Sequence, residues 1–164
     1  MTERTATKVA IAIGVLGGLA VYVCGYLVWP SVASRDPVRL ALWLSAGPAL
    51  VIYALFLACL RFRDSFEAID PFRGVESQRW KINQRVLTNT VEQTAIFVPI
   101  LLALSTRVDA VHAKVLPLGV ACWVLARIAF WIGYRIEQKW RAPGMAWTHM
   151  TTLATILWLV RFSL

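Results

Sequence analysis

Apolar runs near or above the roughly 18 residues needed to cross a hydrocarbon core recur along nearly the whole of this chain. Five stand out, at about Val9–Trp29, Val38–Leu60, Ile82–Leu104, Val115–Tyr134 and Met145–Val160. The last is short and its ends are soft. With 59% apolar residues, 16% charged ones and a mean hydropathy of +0.62, too little polar surface remains to coat a water-soluble globule. The lipid bilayer is the expected solvent, and the runs leave no room for a separate soluble domain.

The runs are continuous, whereas strands of a membrane barrel alternate apolar and polar residues over roughly ten positions, so an all-α integral membrane protein is expected. Pro30 and Pro37 bracket the first connection, Asp70-Pro71-Phe72-Arg73-Gly74 sits in the longest, and Pro143-Gly144 punctuates the last. Pro48, Pro99 and Pro117 fall inside or at the edge of apolar runs, where neighbouring helices can satisfy the freed carbonyls.

Lys and Arg distribute unevenly about five such helices. One side carries Arg4, Lys8, Arg61, Arg63, Arg73, Arg79, Lys81, Arg85, Arg135, Lys139 and Arg141; the other carries Arg35, Arg39, Arg107, Lys114 and Arg161. The positive-inside bias makes the first side cytoplasmic and starts the chain there. The net charge of +8 could suggest nucleic acid, but the basic residues flank membrane segments and form no nucleic-acid motif. Anionic lipid or an anionic small molecule suits them better.

The first run is preceded by Arg4 and Lys8 and followed by Ser31, Ala33 and Ser34, a pattern shared with cleaved signal peptides. Its apolar core exceeds the roughly 7–15 residues of a signal sequence, so a retained helix is expected. Ala12, Gly14, Gly18 and Ala20 would let another helix approach it closely. Cys24, Cys59 and Cys122 are scattered within apolar runs and read as buried free thiols. His112 and His149 have no companions at metal-ligand spacing, and no metal site is expected.

Chemistry-bearing residues interrupt the third and fourth runs. Arg85, Asn89 and Glu92, spaced i, i+4, i+7, share one helical face; Arg127, Phe130/Trp131 and Tyr134 form a second. Ionisable groups at that depth persist only facing a bundle interior, paired or lining a polar cavity. At about 1.5 Å per residue, Glu92 lies about 15 Å and Arg127 about 13 Å from the cytoplasmic helix ends, level enough to pair. Arg85 is then level with Tyr134, and the two faces describe a cleft opening toward Arg135, Lys139 and Arg141. A Glu92–Arg127 pair could bind a ligand or could merely clamp two helices; both readings stand. Arginines converging on a cleft suit carboxylate recognition, whereas Arg61, Arg63, Arg79, Lys81 and Lys139 suit lipid headgroups and topology.

These residues resemble a family, the membrane-associated proteins in eicosanoid and glutathione metabolism (MAPEG). Arg85-Val-Leu-Thr-Asn89-Thr-Val-Glu92 looks like its Arg-x-x-x-Asn-x-x-Glu signature. Ala126-Arg127-Ile-Ala-Phe130-Trp-Ile-Gly133-Tyr134, followed by Arg141, looks like its Arg-x-x-Tyr/His-x-x-x-Tyr and downstream arginine. The resemblance covers about Val38 to the C-terminus. It implies a four-helix family domain at 38–164 and, at 1–37, an additional N-terminal transmembrane helix with its connection. A bacterial-type member in the inner (cytoplasmic) membrane, with a cytoplasmic N-terminus, fits this arrangement and the charge count.

The resemblance further implies a homotrimer that holds glutathione between subunits near the cytoplasmic side. Arg85, Asn89, Glu92, Arg127 and Tyr134 match its binding positions, and Arg141 matches the arginine that stabilises the thiolate. The implied activity is a glutathione transferase or peroxidase acting on hydrophobic electrophiles that arrive from the bilayer. Two departures favour the family's non-catalytic ligand-binding or scaffold members instead: Gln93 stands where many members have Tyr, and Phe130 where they have Tyr or His. A third possibility is an unrelated helical bundle, part of a transport complex, whose intramembrane charges only pair.

The charge count makes one direct prediction. A reporter fused at Arg73 should register the cytoplasmic compartment, as should one at the N-terminus. An external signal at Arg73 would overturn both the five-helix count and the placement of the cleft.

Overall fold

The computed structural model describes residues 3–30, 36–61 and 77–164. The expected turn at Asp70–Gly74, together with Ser31, Ala33, Ser34, Arg35, Arg63 and Arg73, lies outside those residues. Among the described residues there is no strand. The helices are α1 (Glu3–Val28), α2 (Pro37–Leu44), α3 (Ala46–Arg61), α4 (Gln78–Ser105), α5 (Val115–Ile136) and α6 (Arg141–Ser163), with a 3-10 turn at Gln138–Trp140 before α6. All five expected apolar runs are thus helical.

Local chemistry explains where the elements begin. Asp36 caps α2 by accepting from the Arg39 amide at 2.9 Å, and Pro37 occupies the first helical position, where a missing N–H forfeits nothing. Ser77 caps α4 by accepting from the Trp80 amide at 3.2 Å, so that helix starts before the expected Ile82. The second run divides at Ser45, whose hydroxyl donates to the Leu42 carbonyl at 2.6 Å just ahead of Gly47 and Pro48.

The largest difference from expectation is at α6, which begins at Arg141 and not at Met145. Pro143-Gly144 is no loop: proline is tolerated in a helix's first turn because the amide it lacks would have no intrahelical partner. Arg141 is therefore the first residue of a helix.

By length and composition α1, α2 with α3, α4 and α5 can each cross a membrane. At 23 residues α6 is about 34 Å long at 1.5 Å per residue, which also suffices, but threonines lower its hydropathy. Thr148, Thr151, Thr152 and Thr155 are all buried. Each hydroxyl donates to the carbonyl four residues back, at 2.8, 3.1, 3.0 and 2.9 Å respectively. The helix is polar by composition yet presents few unsatisfied groups.

The helices pack as one bundle. Phe97, Leu101, Leu104, Leu116, Val120 and Trp123 form the main apolar cluster between α4 and α5, with the Phe97 and Trp123 rings stacked at 5.4 Å. Leu55, Val86, Phe130 and Tyr134 form a second cluster toward the end that carries Arg85 and Arg141, called here the basic end. Tyr22, Leu118 and Cys122 join α1 to α5. Cys59 and Cys122 are buried free thiols as expected, whereas Cys24 is exposed.

Glycines set the closest approaches. A Cβ on Gly144 would strike the Phe130 amide nitrogen and Cα, and one on Gly133 the Trp140 carbonyl, so α5 and α6 meet backbone to backbone at their shared turn. Gly17 has nothing near its missing Cβ. Gly144→Ala should accordingly destabilise the protein by about 1–3 kcal/mol through overpacking. Gly17→Ala should be neutral or mildly stabilising, since it adds a better helix former. Thermal unfolding in detergent checks the contrast; equal behaviour of the two variants would refute the close α5–α6 contact.

Candidate functional site

A cavity of about 600 Å³ opens at the basic end. Its walls come from Arg85 and Asn89 of α4, Phe130 and Tyr134 of α5, and Arg141, Ala142, Met145, Ala146 and His149 of α6, with Thr7 and Ile11 of α1. A smaller cavity of about 270 Å³ shares Arg85 and Tyr134 with it and continues past Lys81 and Arg135. Four of the expected residues, Arg85, Asn89, Tyr134 and Arg141, therefore meet around one space.

Arg141 is delivered there by the tight α5–α6 turn, in which the Trp140 amide donates to the Glu137 carbonyl at 2.9 Å. Its Nη1 donates to the Tyr134 hydroxyl at 3.1 Å, and its guanidinium lies 5.0 Å from that ring's centroid. A cation on a helix's first residue opposes the macrodipole, so this placement does not serve the helix. The guanidinium and the positive helix end instead add at one corner of the cavity, favouring an anion.

Arg127 lies behind two of the lining residues, Asn89 and Phe130. It is 1% exposed, and its Nη2 donates to Asn89 Oδ1 at 3.0 Å and to Thr90 Oγ1 at 2.8 Å. The guanidinium also stacks 4.2 Å from the Phe130 ring centroid. Its Nε has no partner among the described residues. The expected Glu92–Arg127 ion pair is not formed: Glu92 is exposed on the outer side of α4 and does not line the cavity.

The reason is a rotation of one residue. The buried face of α4 runs through Asn83, Val86, Thr90, Gln93, Phe97 and Leu101. The Arg85–Asn89–Glu92 stripe is displaced from that face by about 100°, one residue's turn at 3.6 residues per turn. Asn89 still reaches inward, Arg85 flanks the opening, and Glu92 points away. Neutral oxygens therefore hold Arg127 where a carboxylate was expected. Trp131 is likewise held by Asn83, whose Oδ1 accepts from the indole Nε1 at 3.0 Å.

Sequence reasoning missed Thr90, His149, Thr7 and Ile11. Arg141, Met145 and His149 recur every four residues, a helical spacing that would have placed His149 beside Arg141 had α6 been started at Arg141. Nothing in the sequence linked Thr7 and Ile11 to the cavity, because they approach it from a separate helix.

Fold and site together define a multi-pass helical membrane protein with an arginine-lined cavity at one end of its bundle. Residues 40–161 match the MAPEG family, and the chain belongs to that family. It is 26% identical over 109 residues to Transmembrane protein 79 of Mus musculus, and 25% identical over 109 residues to that of Bos taurus. Each match takes in 66% of this chain but 26% of the relative, so the chain spans about a quarter of the length of these relatives.

The hydrogen bonds of Arg127 generate a double-mutant prediction. Thr90→Val should destabilise the protein by roughly 1–3 kcal/mol, because it strips a buried cation of an acceptor. The same change in an Arg127→Met background should cost much less, whereas Glu92→Gln should show no coupling to Arg127. Unfolding midpoints of the single and double variants measure the coupling. Additivity of Thr90→Val with Arg127→Met would remove the proposed bond.

Proposed function

We propose that the chain is a membrane-bound, glutathione-dependent transferase or peroxidase acting on hydrophobic electrophiles that enter from the bilayer. The observation that carries this is Arg141 bonded to Tyr134 at the edge of a cavity whose other polar lining includes Arg85 and Asn89. Family membership supports it. Arg85 and Asn89 suit a glutathione carboxylate and its peptide groups, while Phe130, Met145 and Ala146 offer an apolar surface for the electrophile.

In the transfer, the thiol loses its proton, its sulfur bonds to the electrophilic carbon, and the leaving group departs with the bonding pair. In the peroxidase variant the thiolate opens the O–O bond of a hydroperoxide, a second glutathione completes a disulfide, and alcohol and water leave. Both begin with a thiolate. A thiol with an ordinary pKa near roughly 8.5 is more fully ionised at neutral pH beside a fixed cation, which is the role given to Arg141. Tyr134 orients that guanidinium, and Arg127 fixes Asn89 from behind.

A homotrimer in a bacterial inner membrane, with the basic end cytoplasmic and residues 1–37 added to a family domain at 38–164, completes the proposal. Glu92 supports the oligomer: a carboxylate exposed midway along an apolar helix is costly in lipid and calls for cover from another subunit. Ligand binding between subunits would bring Glu92 to a site that one chain leaves without it. A second reading, a non-catalytic binding protein for a lipophilic ligand, is favoured by Phe130, whose ring stacks on Arg127 and offers no hydrogen bond.

Thiol conjugation to a small aromatic electrophile, followed from about pH 6 to 9 across a thiol's titration, separates the readings. Arg141→Ala should lower turnover on the order of a hundredfold, the scale of losing one preorganised charge stabiliser. Because a cation lowers the thiol pKa, its removal should move the rate curve to higher pH. Arg85→Ala should mainly raise KM, since a carboxylate keeps its charge throughout the reaction. Unchanged turnover in Arg141→Ala would remove it from the mechanism, and an inactive wild type that still binds lipophilic ligands would establish the second reading. Native mass tests the trimer.

A further inference from the structure

The cavity has one wall that the family motifs do not supply. Thr7 and Ile11 of α1 line it together with residues of α4, α5 and α6. Gly14 rests against the backbone of Pro143 and Gly18 against the Trp147 indole, a four-residue step on both helices. The two helices therefore run parallel and in register. Gly14 matches Pro143, only two residues after α6 begins at Arg141. The seven residues from Gly14 back to Thr7 thus carry α1 about 10 Å past that contact, at 1.5 Å per residue. Thr7 and Ile11 therefore lie at the N-terminal end of α6 and not alongside its middle. There α1 lines the cavity, and it also touches the 3-10 turn.

We infer that α1 is a built-in wall of this cavity and that Ile11 determines which lipophilic molecules reach Arg141. The inference rests on the functional reading above for the identity of the ligand, though not for the geometry of the wall. Ile11 lines the cavity and is 44% exposed, so its side chain is not enclosed by neighbours on all sides. The wall itself is seated closely against α6. A Cβ on Gly14 would strike the Pro143 carbonyl oxygen and Cα, and one on Gly18 the Trp147 ring, so α1 sits as close to α6 as backbones allow. Selection then follows side-chain volume at Ile11 and needs no helix movement. A β-branched side chain, stiff about χ1, leaves a gap of constant size. Thr7, one turn nearer the N-terminus, lines the same cavity.

Accessibility labelling tests the wall without invoking glutathione. In a Cys24→Ser background, which removes the exposed native thiol, Ala146→Cys puts a reporter thiol inside the cavity. Leu157→Cys, at a position 61% exposed on α6, reports reagent concentration in the lipid or detergent. With a phenyl-sized lipophilic maleimide, Ile11→Ala should accelerate labelling of the cavity thiol several-fold and Ile11→Trp should slow it several-fold. The Leu157→Cys rate should stay constant in all three. Equal cavity labelling whatever occupies position 11, or parallel changes at Leu157→Cys, would overturn the inference. Ile11→Ala removes volume and keeps the test decisive should the tryptophan variant fold poorly. A glutathione titration on the same proteins separates the two ideas. Labelling that responds to position 11 without glutathione binding would sink the functional reading alone, and glutathione binding with unresponsive labelling would sink the wall alone.

Discussion

A bilayer offers no water to polar groups, so those in a spanning segment are costly unless they find a partner inside the protein. In this chain that requirement decides which helix faces meet. The Arg127 guanidinium, 1% exposed, draws Asn89 and Thr90 of α4 onto α5. Asn83 holds the Trp131 indole at 3.0 Å and donates to the Ala58 carbonyl at 3.4 Å, tying α3, α4 and α5 together nearer the basic end. The threonines of α6 satisfy themselves along their own helix, leaving methyl groups for the contact with its neighbours. Once these bonds have set the rotation of α4 and α5, the positions of Arg85, Asn89 and Tyr134 around the cavity follow.

The second constraint is steric. Gly133 and Gly144 let α5 and α6 touch at their common turn, and the short 3-10 segment returns the chain onto itself. Arg141 consequently lies over Tyr134, seven residues earlier. Helix energetics disfavour a cation there, since it faces the positive end of the macrodipole. The bundle tolerates this local conflict where it concentrates positive potential, a pattern expected of a functional position. Glu92 presents the complementary conflict, an acidic group turned outward on a helix otherwise suited to lipid.

Much of this was legible in advance. Hydropathy located every spanning run, though not the division of the second into α2 and α3, because a spanning segment must be apolar over a length set by membrane thickness. Arg85, Asn89 and Arg141, which converge on the cavity, were also identifiable, since charged and amide side chains are rare at such positions, and Tyr134 was identifiable by its helical spacing from Arg127. Three features were not. The start of α6 was obscured by Pro143, which reads as a break unless it is known to occupy a first turn. The rotation of α4 was uncertain by one residue, and one residue moves a side chain through about 100°. That difference exchanges Glu92 for Thr90 as the partner of Arg127. The contribution of Thr7 and Ile11 was invisible because it depends on how α1 docks against α6.

By itself, then, the sequence determined the solvent, the helices and the chemical inventory of the site, since all three depend on residue type and spacing along one segment. Tertiary structure alone decided which of those polar groups face one another. Pairing between helices depends on rotation, register and close approach, and those are set by glycine contacts and hydrogen bonds joining residues far apart in the chain.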